Sequence, residues 1–153
     1  IFVSMHWGEG NELGITPNEE QKRQAKYLAS LGVDVVIGHH PYGIQQIEKI
    51  NNTYVFYSLG RIISSKTYEY GDHLYVIGLL SELTITKKNN KIKIENTNNE
   101  LIYNYYDENY KNNEIIPFSE MNENYNKDYI RLYEKYSKIV RLYDDNVIIN
   151  NIK

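Results

Sequence analysis

At 153 residues the chain is long enough for one domain with a real core, and 41% hydrophobic against 24% charged residues fits a globular protein. A net charge of −3, with no basic stripe carrying interleaved aromatics, argues against a general nucleic-acid binder. The absence of cysteine excludes disulfides and cysteine-ligated zinc, and no apolar run is long enough to span a bilayer.

The chain opens on IFVSM, which reads as a buried strand. It begins without methionine or a signal peptide, so it reads as a piece whose natural N-terminus lies upstream, with any export signal there. A polar loop, HWGEGNELGI, follows. TPNEEQKRQAKYLASLG then carries helix signals: Thr16 as N-cap, Pro17 at the first helical position, Glu19 completing a capping box, and Gly32 as the stop. Ala25, Leu28 and Ala29 supply its buried face. Residues 33–37, VDVVI, are the next strand. Strand, helix, strand with a crossover of this length makes the two strands parallel, joined by a right-handed connection.

IQQIEKI and TYVFYSLG flank Asn51-Asn52 and read as a hairpin. LYVIGLLSELTIT and KIKIENT flank KKNN and read as a second. ELIYNYY is a candidate further strand, and residues 107–125 are polar, Asn-rich loop. Residues 127–143 show helical spacing, with Tyr129, Leu132, Tyr133, Tyr136, Ile139, Val140 and Tyr143 on one core-facing side. The last stretch, DDNVIINNIK, carries no clear signal. The 16 tyrosines, with abundant Asn, Lys and Ile, read as compositional bias.

Histidine is scarce, 4 in the whole chain, yet three sit at two strand ends. His6 ends the first strand in SMHWG, and His39 and His40 end the second in IGHHP. Parallel strands deliver their C-terminal ends to one sheet edge, where α/β folds place ligands. Imidazole is the commonest metal ligand among side chains. Neighbours on an extended chain point apart, and Pro41 is expected to hold His40 extended. His39 and His40 should therefore diverge: one meets a metal ion while the other faces substrate, a second metal or a carboxylate. Position 42, a tyrosine, shares the side of His40. His73, in YGDHLYV, reads as a surface or satisfied core residue. A Ser-His-Asp triad, a dinucleotide fingerprint and a phosphate-binding loop are not supported.

VSMHWG, then P, Q and A on a helix, then GVDVVIGHHPYGIQQIE and VFYSLG, resembles the CapA family of bacterial capsule and poly-γ-glutamate synthesis proteins (the PGA_cap domain). That family is similar to the calcineurin-like metallophosphoesterases. The resemblance covers residues 1–65 and implies the C-terminal part of a four-layer α/β/β/α sandwich, its N-terminal half lying upstream. Its implied site is at the strand ends, with one or two divalent ions (Mn²⁺, Fe or Zn²⁺). It carries over to His6, His39 and His40. Where the family has GHHPH this chain has Tyr42, and where the family has SLGNF it has Arg61. The family's acidic metal-ligand blocks would lie upstream.

Two functions follow from the resemblance. In the first, a metal-dependent phosphoesterase-like hydrolase acts in capsule or polyglutamate assembly. His6 and His40 bind metal, His39 acts as the catalytic acid, and Tyr42 and Arg61 contact an anionic substrate. In the second, a non-catalytic envelope module binds or organises an anionic polymer, with Tyr42 and Arg61 marking a degraded metal site. A purely structural fragment is a weaker third reading. The implied partners are an anionic polymer or phosphorylated substrate and the capsule-assembly machinery. The implied location is the cell envelope or outside the cell, reached through an upstream anchor.

Overall fold

The computed structural model describes residues 1–8, 14–64, 73–107 and 109–152. Strand β1 (Phe2–His6), helix α1 (Glu19–Ser30) and strand β2 (Val35–His39) form the expected unit, with β1 and β2 parallel and directly hydrogen-bonded. β3 (Ile47–Ile50) and β4 (Thr53–Phe56) form the first hairpin, and β4 lies parallel beside β2. The first sheet therefore runs β1-β2-β4-β3. A second, antiparallel sheet runs β5-β6-β7, from β5 (Ile77–Lys88), β6 (Lys91–Tyr105) and β7 (Glu114–Pro117). A 3₁₀ turn (Phe118–Glu120) and helix α2 (Tyr129–Arg141) follow. The chain is a mixed α/β protein, and among the described residues no helix is long and apolar enough to cross a membrane.

Local sequence explains the first sheet. β2 is flanked on both sides and covered on both faces, so Val35 and Val36 are both fully buried. β1, by contrast, alternates exposed and half-buried residues. On α1 the buried residues are Gln21, Ala25 and Ala29, four apart on one face, and the two alanines let the helix lie close to the sheet.

The helix starts two residues later than the sequence predicts. Its N-cap is Asn18, extended at φ −73° and ψ 171°, not Thr16. The Gln21 N–H donates to Asn18 Oδ1 at 2.9 Å, and the Asn18 N–H donates to Gln21 Oε1 at 3.0 Å, closing the capping box with Gln21 rather than Glu19. Asparagine is at least as good a cap as threonine. Starting here also leaves Glu19 and Glu20 in the first turn, where the helix dipole favours them. The C-terminus ends as expected, with Gly32 at φ +80° and the Val33 N–H donating to the Leu28 carbonyl. Asn18→Ala should therefore cost about 1 kcal/mol in urea unfolding, and Thr16→Ala close to nothing. A larger cost at Thr16 than at Asn18 would return the cap to Thr16.

Elsewhere the elements shift or merge. KIKIENT and ELIYNYY are one continuous strand, β6, because its pairing with β5 crosses a single irregularity at Glu82/Leu83 without ending. β5 begins at Ile77, with Leu74, Tyr75 and Val76 in a buried turn before it. The stretch read as loop holds β7, where the short EIIP hides among asparagines and pairs with β6. Tyr143 lies beyond the end of α2, 37% exposed, with its ring edge-on to Tyr57, so it leaves the helix's core face. The C-terminal stretch also packs: Val147 and Ile149 are buried, and the Asn150 N–H donates to the Asn99 carbonyl at 2.9 Å. His73 is satisfied, with its Nδ1 3.1 Å from the Tyr103 hydroxyl.

Two apolar clusters organise this. Trp7, Ala25, Val33, Val36, Val55 and Tyr57 fill the space between α1 and the first sheet. The larger cluster joins Val35, Ile47 and Phe56 of the first sheet to Leu79, Leu101 and Tyr103 of the second and to Leu132, Tyr136 and Val140 of α2. The strand ends that carry the histidines are thus anchored from both sides.

Candidate functional site

The two histidine-bearing strand ends lie side by side. β1 and β2 pair in register, with His6 opposite His39, and the Trp7 N–H continues the ladder by donating to the His39 carbonyl at 3.1 Å. Alternation puts Val3, Met5 and Val36 against α1, so His6 and His39 share the opposite face.

The indole of Trp7 fixes this edge. It is 5% exposed, its Nε1–H donates to the Tyr57 carbonyl at 2.8 Å, and its ring stacks on Tyr57 at 5.6 Å. To reach Tyr57 it crosses Gly38. A Cβ there would lie 2.3 Å from Trp7 Nε1 and 2.2 Å from the Tyr57 oxygen. The blocks HWG, IGHH and VFYS are therefore locked by one contact, which sequence reading left without a role.

His40 departs from expectation. Its φ is +96°, so the backbone turns back instead of continuing extended before Pro41. Proline bars the preceding residue from the right-handed helical region, and here the chain takes the positive-φ side rather than the extended one. The turn is held by Pro41, which is buried and whose carbonyl accepts from Ser58 Oγ at 3.1 Å. The reversal carries the His40 ring to that of His6, with centroids 4.4 Å apart and planes tilted by 56°. Register alone would have paired His6 with His39. His39 is exposed, and among the described residues its side chain has no ring contact or hydrogen bond.

Tyr42 and Arg61 also come together. The Tyr42 ring is 6.5 Å from that of His40. The Arg61 guanidinium lies 4.1 Å over the Tyr42 ring and 5.1 Å over that of Tyr75, and the two tyrosine rings are 5.4 Å apart. Backbone contacts set this position. Gly60 takes φ +68°, the Leu79 N–H donates to the Leu59 carbonyl at 2.9 Å, and a Cβ on Gly78 would meet the Arg61 carbonyl at 2.3 Å. Among the described residues Arg61 enters no ion pair, so its N–H edges stay available to an anion. Tyr75 was missed in the sequence because it falls in a stretch read as strand, among many tyrosines.

Beneath the edge lies a buried amide chain that the sequence reading also missed. Gln21 Nε2 donates to Gln45 Oε1 at 2.9 Å, Gln45 Nε2 to the Gly14 carbonyl at 3.1 Å, and Gln46 Nε2 to the Ile15 carbonyl at 2.8 Å. These bonds tie α1 and the segment before it to the backbone that follows GHHPY.

As a metal centre the donor set is partial. His6 and His40 offer two imidazoles at one place, and among the described residues their ring nitrogens have no hydrogen-bond partner. They fit two positions of a shell that for zinc needs four ligands. Among the described residues no group of three His, Cys, Asp or Glu is placed to hold a metal ion.

The family model for bacterial capsule synthesis protein PGA_cap matches residues 1–66, the segment that holds all five of these predicted site residues. The PGA biosynthesis protein CapA of Bacillus subtilis (strain 168) is 38% identical over 63 residues, 41% of this chain and 16% of that protein. The capsule biosynthesis protein CapA of Bacillus anthracis is 35% identical over 63 residues, 41% of this chain and 15% of that protein. The matched stretch is thus about a sixth of either relative. Residues 1–66, with their two His-bearing strand ends, thus match the bacterial capsule synthesis PGA_cap family and are similar to the CapA proteins of two Bacillus species.

Proposed function

We propose that this chain works in bacterial capsule or poly-γ-glutamate biosynthesis at the cell envelope, as part of a metal-dependent, phosphoesterase-like hydrolase. In this reading the two sheets and two helices are the C-terminal part of a four-layer α/β/β/α sandwich. The observation that carries it is the approach of His6 and His40 to 4.4 Å between ring centroids at adjacent parallel strand ends. His6 and His40 would hold a divalent ion, Mn²⁺, Fe or Zn²⁺, alone or as one of a pair. When bound, such an ion supplies positive charge for a phosphoryl oxygen and an activated water.

The rest falls to the chain's own residues. Arg61, oriented by Tyr42 and Tyr75, directs N–H groups at a phosphate or carboxylate oxygen. The Tyr42 hydroxyl donates a hydrogen bond to the same anion. His39, exposed beside His6, delivers a proton from its imidazole to the leaving oxygen.

The test is metal content and phosphoesterase activity of the intact protein, before and after His6→Ala. We expect bound divalent metal, with a loss of about 100-fold in metal affinity or turnover in the variant. A protein that takes up no metal and hydrolyses no ester sinks this reading. A second reading, a non-catalytic module for an anionic polymer, is favoured by the Arg61–Tyr42–Tyr75 stack, which needs no metal. Polymer binding that survives chelator without turnover, and is lost in Arg61→Gln, would select it.

A further inference from the structure

The second hairpin projects a charged, greasy tip. On β5 every residue from Thr84 to Lys88 is exposed, and so are Lys91, Ile92 and Lys93 opposite. Five residues at strand rise extend the ribbon by about 17 Å. Asn89 and Asn90 close it with φ of 49° and 59°, the left-handed pair of a tight two-residue hairpin turn. The tip carries Lys87, Lys88, Lys91 and Lys93, in a chain whose net charge is −3. Only Lys93 is paired, with Glu95 at 2.9 Å; among the described residues the other three enter no ion pair.

The faces differ. Pairing of Thr86 with Lys93 and of Lys88 with Lys91 puts three lysines on one side. Pairing of Lys87 with Ile92 and of Ile85 with Ile94 puts isoleucines on the other, with Ile85 56% and Ile92 64% exposed. A two-stranded ribbon gains little stability alone, and large apolar side chains held in water on it are a liability unless something covers them. A soluble polyanion would satisfy the lysines and leave the isoleucines wet. An anionic lipid surface satisfies both, with phosphates meeting the ammonium groups and the acyl boundary taking the isoleucines.

We propose that the tip of the β5–β6 ribbon docks on an anionic lipid surface through Lys87, Lys88, Lys91, Ile85 and Ile92. This rests on the ribbon alone and is independent of the histidine site.

The experiment is co-sedimentation of the purified chain with phosphatidylcholine vesicles, with and without a phosphatidylglycerol fraction. The chain should bind only the anionic vesicles, and binding should fall as salt rises. Combined Lys88→Glu and Lys91→Glu should weaken it about tenfold or more. Combined Ile85→Thr and Ile92→Thr keeps charge and strand propensity and should weaken it severalfold, with circular dichroism checking that the ribbon survives. Failure to bind anionic vesicles overturns the proposal. So does binding that the threonine pair leaves unchanged, or that soluble polyglutamate matches, since either outcome assigns the ribbon to a polyanion.

Discussion

Gly38→Ala should destabilise the protein by about 3 kcal/mol or more, read as a lower urea midpoint. The added Cβ would sit 2.2 Å from the Tyr57 carbonyl oxygen, 2.3 Å from Trp7 Nε1 and 2.8 Å from the Phe56 oxygen. Two of these neighbours are backbone atoms of the chain leaving β4, which is hydrogen-bonded to β2 and β3, so they yield only if the sheet deforms. The third is an indole that would have to leave a buried hydrogen bond to Tyr57. An unpaired buried N–H costs a further 1–3 kcal/mol or so. Gly32→Ala is the control. There φ is +80° and nothing lies within 4 Å, so its cost is conformational alone, about 1 kcal/mol. If the two alanines cost the same, the Trp7–Gly38–Tyr57 lock is not what holds the histidine edge.

The sequence shows the frame of this edge well and its close geometry poorly. Strand, helix and strand were legible because IFVSM, the α1 face and VDVVI each follow a clean period, and a crossover of that length permits only parallel strands. That already puts His6 and the double histidine at one edge. Which histidines meet was not legible, because it turns on one backbone angle. An extended His40 points away from His6; a His40 at φ +96° meets it. Proline at the next position excludes one basin without choosing between the others. Tyr75 was hidden because only the burial of the turn before β5 brings it to Arg61. β7 and the packed C-terminal stretch escaped notice for a related reason. Their few apolar residues, Ile116, Val147 and Ile149, gain their partners from distant parts of the chain.

Replacing His40 should separate its ring from its backbone. A non-glycine residue at φ +96° carries strain of about 1–3 kcal/mol. Such strain persists where surrounding structure demands it, and here the demand is the turn that brings the ring to His6. His40→Gly removes the ring and relieves the strain. His40→Ala removes the ring and keeps the strain. The glycine variant should therefore be at least as stable as the parent, and about 1 kcal/mol more stable than the alanine variant. If the proposed metal-dependent reading holds, both should lose divalent metal and hydrolysis in the intact protein by at least the roughly 10- to 100-fold that loss of a mere outer-shell partner costs. The glycine variant's stability keeps the loss of activity from being mistaken for unfolding. If glycine and alanine are equally destabilising, the turn at His40 is unstrained. If both keep metal and turnover, the imidazole of His40 is no ligand.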